Sequence, residues 1–222
     1  MAGIGLYGVF YRKCVKQDGV VTGYEGPVRM MGKAIAASFA ANTVDDNPLE
    51  ANNGVAENDI STGSGGTLTM TLDRMTLETA ADLYGTTVEE VEVEVDGQKV
   101  HGVEIGYKGN EVSAPVGVAY IQMHQEDGAR NHRVVFYREC VLDRPSDEAR
   151  TMGRNSLEWQ TPEITGTVEG LQGDGSNRWY RKSQWPTQQA AIAYIYKLFG
   201  TSVDEQQAAQ ANDLNGENEV GV

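Results

Sequence analysis

Gly153-Arg154-Asn155-Ser156-Leu157-Glu158-Trp159-Gln160-Thr161-Pro162-Glu163-Ile164-Thr165-Gly166-Thr167-Val168 reads as a long strand from Asn155 to Val168, because a polar residue falls at nearly every second position. Pro162 sits in its middle. Proline cannot donate to a sheet ladder, so a strand that carries it lies at an edge or bends there. Edges are normally blunted, and one left open pairs readily with a second copy of the chain. The stretch predicts a β protein with a surface suited to self-association.

The rest of the chain agrees with that class. Ile4–Cys14 is rich in aromatic and β-branched residues and reads as a strand, followed by the turn dipeptide Asp18-Gly19 and a return strand beginning at Val20 and Val21. Small residues on both faces of the stretch from Gly32 to Ala41 predict a strand packed tightly against something. Thr67–Leu72, Val100–Tyr107, Val116–His124 and Arg133–Leu142 follow as strands, the last two paired across a polar turn from Gln125 to Asn131. Val88–Val95 alternates Val with Glu and predicts a half-exposed strand. A short strand is expected over Arg178–Lys182. Two segments read as helices. Thr76–Tyr84 has Thr76 as cap, Gly85 as stop, and Leu77, Ala80, Ala81 and Tyr84 on one face. Thr187–Phe199 has Thr187 as cap, Gly200 as stop, and an apolar stripe of Ala191, Ile192, Ile195 and Phe199. The expected fold is mainly β, a sandwich or partly open barrel of antiparallel strands, with one short helix and one C-terminal helix.

Residues 1–200 form one β domain in this reading. It includes a long structureless loop, 42–66, whose only charges are Asp45, Asp46, Glu50, Glu57 and Asp59. Residues 201–222, with Asp204, Glu205, Asp213, Glu217 and Glu219, are expected to be a flexible acidic tail.

Charge narrows the function classes. The 222 residues carry a formal charge of −14. A tight grip on nucleic acid needs clustered cations, so ordinary DNA binding is disfavoured, whereas a like-charged surface suits a conduit through which DNA slides. Cys14 and Cys140 lie in strand-like runs and read as reduced thiols of a cytosolic protein. No apolar run approaches the roughly 18 residues that a membrane-spanning helix needs, and the N-terminus lacks the pattern of a signal peptide.

The motifs with chemical meaning dissolve on inspection. Gly3-Ile4-Gly5-Leu6-Tyr7-Gly8 matches a dinucleotide fingerprint but lacks the preceding strand and following helix. The run from Asp45 to Glu50 lacks the alternating ligands and the glycine of a calcium loop. His101, His124 and His132 do not have zinc-site spacing. No nucleophile elbow is present. The expectation is a non-enzyme without metal or cofactor. Arg130, Arg133, Arg138, Arg144, Arg150 and Arg154 concentrate in one quarter of an acidic chain. They read either as solvated strand ends or as a surface complementary to the acidic 42–66 loop of a neighbouring copy.

Several stretches together resemble the major tail (tail-tube) proteins of long-tailed phages, of the Gram-positive siphophage type. Ile4–Tyr11 is similar to their opening strand. Gly32-Lys33-Ala34-Ile35-Ala36 is similar to a Gly-Lys-Ala-Ile-Ser segment, and Leu49-Glu50-Ala51-Asn52-Asn53 sits where the family has Leu-Tyr-Ala-Asp-Asp. Leu68–Leu72 with Leu77–Gly85, Gly102–Tyr107, Tyr137 and Cys140–Pro145 continue the likeness. Residues 153–167 resemble a Leu-Glu-Phe-Gln-Thr-Pro-Thr-Ile-Glu-Gly pattern most closely. The likeness spans residues 3–170 in order. Glu50 departs from the family's tyrosine, as does the Gln/Ala-rich helix with its acidic tail after residue 186.

The resemblance implies hexameric rings stacked into a hollow tube, with tape-measure, tail-terminator and tail-tip proteins as partners. Genomic DNA would cross the lumen without specific binding, and this chain would not insert in a membrane. It implies synthesis in the host cytoplasm and residence in the virion tail. Asp45, Asp46, Glu50, Glu57 and Asp59 would then serve stacking of rings. Arg133, Arg138, Arg144, Trp159, Thr161 and Pro162 would serve ring closure. Two rivals share parts of this reading: the tube or ring protein of a contractile injection or type VI system, and a monomeric β-sandwich binding module that presents Trp159, Trp179 and Trp185.

Overall fold

The computed structural model describes residues 2–42, 47–51, 54–59, 65–126, 128–144, 161–170 and 178–201. In chain order the elements are β1 (Ala2–Gln17), β2 (Val20–Gly32), β3 (Ala34–Ala41), β4 (Asn47–Ala51), β5 (Gly54–Asp59), β6 (Gly66–Leu72), α1 (Leu77–Tyr84), β7 (Val88–Val95), β8 (Gln98–Ile105), β9 (Pro115–Glu126), β10 (Ala129–Leu142), β11 (Glu163–Val168), β12 (Tyr180–Trp185) and α2 (Gln188–Leu198). The protein is mainly β, with antiparallel sheets and, among the described residues, two helices, as its sequence predicts.

An eight-stranded sheet runs in the order β2-β1-β9-β10-β11-β6-β3, and β12 pairs with β10 off that path. Asp18 and Gly19, both with positive φ (51° and 79°), turn β1 into β2. That is the geometry a two-residue hairpin demands. β10 is the hub. One side pairs with β9 along most of its length. The other side pairs with β12 over His132–Tyr137 and with β11 over Cys140–Leu142.

Each central strand is apolar on both faces, because both are covered. Side chains alternate across a strand. Val9, Tyr11, Val118, Tyr120, Val135 and Tyr137 enter one core with Leu68, Met70 and Leu72 of β6, Ile164 of β11, and Leu83 and Tyr84 of α1. Phe10, Ala119, Ile121, Val134 and Phe136 enter a second core, capped by Ala191, Ile195 and Tyr196 of α2 and by Phe199. β3 also approaches β1, so the sheet curls round its first core. Among the described residues β2 and β3 remain its two ends.

The helix signals are local and hold. Thr76 accepts from the Thr79 backbone N–H at 3.2 Å, and Gly85 ends α1 in the left-handed region. Thr187 accepts from the Ala190 N–H at 3.2 Å. Leu77 is a correction. It is 42% exposed, and the buried face of α1 is Ala80, Ala81, Leu83 and Tyr84. In α2, Ile192 is half-buried while Tyr196 is buried.

Five strand expectations are revised. β11 starts after Pro162 and is flanked by β10 and β6, so it is an interior strand. Pro162 stands just outside it, where its missing N–H costs no ladder bond, and its carbonyl accepts from the Leu72 N–H at 3.1 Å. Residues 155–160 of the expected long strand lie outside the described residues. The loop 42–66 contains a hairpin, β4 with β5. β3 is an edge strand with Ile35 54% exposed, not a tightly packed one. β9 and β10 run to Glu126 and from Ala129, leaving a far shorter turn than Gln125–Asn131. β12 lies at Tyr180–Trp185, displaced from Arg178–Lys182. The tail beyond Thr201 lies outside the described residues. No helix among the described residues is long and apolar enough to cross a membrane.

Candidate assembly surfaces

The sheet ends differ in chemistry. β2 carries Glu25, Pro27 and Arg29, a positive-φ Gly26, and three register shifts against β1. Charge, proline and bulges are the ordinary means of blunting an edge. β3 reads Ala34-Ile35-Ala36-Ala37-Ser38-Phe39-Ala40-Ala41, with no charge and no proline, and among the described residues it pairs only with β6. Its one irregularity lies between Ala34 and Ala36. Phe39 is spent within the chain, 5.1 Å from Tyr137 and 5.9 Å from Trp179 between ring centroids. Ile35, Ala36, Ser38 and Ala40 face outward. Such an edge offers free N–H and C=O groups with nothing to repel a partner strand.

A second surface is the two-stranded sheet of β7 and β8, turned by Asp96-Gly97, both with positive φ. Its main contacts with the rest of the chain are to α1. At its root Thr86 Oγ1 donates to the Gly106 carbonyl at 2.6 Å, and Tyr107 meets Tyr84 edge-on. Val91, Val93 and Val95 share one face with Val100, which stands opposite Val93. Glu90, Glu92 and Glu94 share the other with Lys99 and His101, and Lys99 Nζ lies 2.8 Å from Glu92. All four valines are exposed, Val93 at 57%. The sequence predicted a half-exposed strand; both faces of this arm are open.

The residues expected to close the ring are dispersed. Arg133 is half-buried in β10, between Gln122 of β9 and Gln184 of β12. The Arg138 guanidinium donates to the Val21 carbonyl, and its own carbonyl accepts from Tyr24 Oη at 2.9 Å. Arg144 Nη2 donates to the Glu111 carbonyl at 3.0 Å, with its guanidinium 5.0 Å from the Tyr107 ring centre. Arg138 and Arg144 thus spend donors inside the chain. Thr161 is exposed and Pro162 half-buried, just ahead of β11. Trp159, Asp45 and Asp46 lie outside the described residues. Glu50 falls in β4, and Glu57 and Asp59 in β5, so the hairpin gathers these three positions.

The interior electrostatics read as scaffolding. Asp82 of α1 receives Tyr11 Oη at 3.0 Å, Lys13 Nζ at 2.5 Å and Arg29 Nη1 at 3.5 Å, which ties the helix to β1 and β2. Burial, then the Asp82 charge, raises the Tyr11 phenol pKa. Arg12 is buried and donates to the carbonyls of Gly26 and Phe199, at 2.6 and 2.7 Å. No group of three metal-ligating side chains exists among the described residues.

Burial, followed by Glu139, pushes the Cys14 thiol up to about 12, and burial likewise raises the Cys140 pKa. Both thiols stay protonated at about pH 8, where a reactive cysteine would ionise. A thiol reagent should therefore leave the native protein unlabelled and modify both cysteines in urea. Fast labelling of either one in the native state would refute the packing described. Because the native thiols hold their protons past the ordinary value of 9.0, their stabilising contribution is intact below that pH. It is lost above it, as the unfolded chain ionises first.

Sequence reasoning missed both surfaces. The absence of any charge from Ala34 to Ala41 was a readable sign of an open edge. The second Asp-Gly turn between two Val-rich strands was a readable sign of a separate arm. No protein-family model matches the chain, and no curated protein matches it in sequence.

Proposed function

We propose that the chain is a self-assembling structural subunit of the tail-tube type. It would form rings that stack into a hollow tube, with no catalytic role. The observation that carries the reading is β3, an uncharged edge strand at the end of an open antiparallel sheet. Subunits that pair unlike edges close into rings or run on as filaments. Ring closure removes every open edge at once. The ordered likeness of residues 3–170 to tail-tube proteins supports the same reading, as does the acidic balance of −14, which suits passage of DNA. Rings of six copies, the tape-measure, terminator and tip partners, and residence in a virion tail belong to this proposal.

The binding-module reading finds less support. Trp179 packs at a tilt against Phe39 and Tyr180, and Trp185 packs on Tyr194 at 4.7 Å, so neither is held out as a platform. Negative-stain electron microscopy of concentrated, aged protein, with and without a tail-tip initiator, tests the proposal. Rings or tubes of uniform width are expected. Featureless monomers under every condition would overturn it.

A further inference from the structure

Charge is segregated in this molecule more sharply than its acidic total indicates. The arm from Val88 to Ile105 holds six carboxylates, Glu89, Glu90, Glu92, Glu94, Asp96 and Glu104, against the single cation Lys99. Four of the six lie on β7, whose outer edge pairs with nothing among the described residues. The opposite case is β12 and the half of β10 beside it. Residues 128–138 and 178–187 hold Arg130, Arg133, Arg138, Arg178, Arg181 and Lys182 and no carboxylate. Glu126 ends β9, and Glu139, the next acid along β10, is buried and paired with Lys16 at 2.5 Å. Arg130, Arg178 and Lys182 are exposed. None of Arg130, Arg178, Arg181 and Lys182 has a carboxylate at ion-pair distance among the described residues. Among the described residues β12 pairs with β10 on one side only, so it too presents an open outer edge there.

We propose that the acidic β7–β8 arm of one copy docks by strand addition on the basic β12 edge of a second copy. This deepens the tube reading and rests on it. Three features select this occupant. The two edges are of opposite charge, so attraction sets which strand meets which, while like pairings of β7 with β7 or β12 with β12 are repelled. Both edges carry unpaired backbone groups, so the contact adds a ladder as well as a charge match. Within one chain the arm is rooted on α1 whereas β12 packs on β10 and α2, so the partner is another molecule. Because arm and edge are different patches, the contact is heterologous and propagates from copy to copy.

The test is a charge exchange. Glu90→Lys with Glu94→Lys reverses the arm while sparing the Glu92–Lys99 pair. Arg178→Glu with Lys182→Glu reverses the edge. Each double variant should melt like the wild type and assemble only at a concentration raised about tenfold or more, and the combined variant should return to within about threefold of wild type. If the wild type forms rings or tubes and the reversals leave its critical concentration unchanged, docking is overturned and the tube reading stands. If the wild type never assembles, the tube reading falls, and a zero-length carbodiimide cross-link then decides. A link between the arm of one copy and Lys182 of another sustains the docking in a smaller oligomer, and its absence overturns it. Retardation of duplex DNA by the wild type, lost in the edge variant while assembly is unaffected, would overturn it in favour of a nucleic-acid contact.

Discussion

Phe199→Ala is expected to lower the unfolding free energy by about 3–5 kcal/mol, the range for emptying an aromatic site in a packed core. Phe199 is 1% exposed and ends α2. Its ring stands edge-on to Tyr24 at 5.2 Å and to Phe136 at 5.4 Å. It rests over Gly117, where an added Cβ would lie 2.8 Å from the ring. The glycine and the aromatic are one packing unit, and no small movement of α2 fills the space left by alanine. The Phe199 carbonyl keeps its bond from Arg12, so the loss reports packing and not the buried cation. Urea denaturation measures it. Ile192→Ala, at a half-buried position of the same helix, serves as the comparison and should cost much less. Equal losses at the two sites would mean that α2 is not docked through Phe199.

Ala36→Lys combined with Ser38→Lys is expected to raise the concentration needed for assembly roughly a hundredfold, or to abolish assembly, while stability changes by less than about 0.5 kcal/mol. Both positions are exposed on β3 and point away from the core that holds Phe39. Lysine there opposes a neighbour's strand with charge and bulk and leaves the pairing with β6 intact. Sedimentation of the variants against the wild type reads the first quantity, thermal melting the second. Unimpeded assembly of the double-lysine protein would remove β3 from the contact and leave β12 as the open edge in use.

What the sequence disclosed was local, and what it concealed depends on partners distant along the chain. The caps Thr76, Gly85 and Thr187 and the Asp18-Gly19 turn are settled within a few residues and stand where expected, and the β9–β10 hairpin forms with a shorter turn than expected. Pro162 misled because its effect on pairing depends on whether it lies inside the strand or one position before it. Val88–Val95 carries the alternation of a half-buried strand, yet among the described residues no element covers its valines. Arg138 was legible as a cation but not as one held by the Val21 carbonyl, more than a hundred positions away. Edge and interior are properties of the whole sheet, so β3 and β11 exchanged roles between expectation and structure.

The late position of α2 in the chain has a consequence for synthesis. Every strand of the central sheet is made before residues 188–199, which cap the face formed by Phe10, Ala119, Ile121, Val134 and Phe136. A growing chain that ends at β12 has its ladders available and this greasy side bare. At about 5–20 residues per second the bare interval is brief. A ribosome that stalls before α2 leaves a half-clad sheet, sticky on the side that the finished subunit never shows. Assembly of the proposed tube would then depend on how fast α2 arrives as well as on how well the edges match.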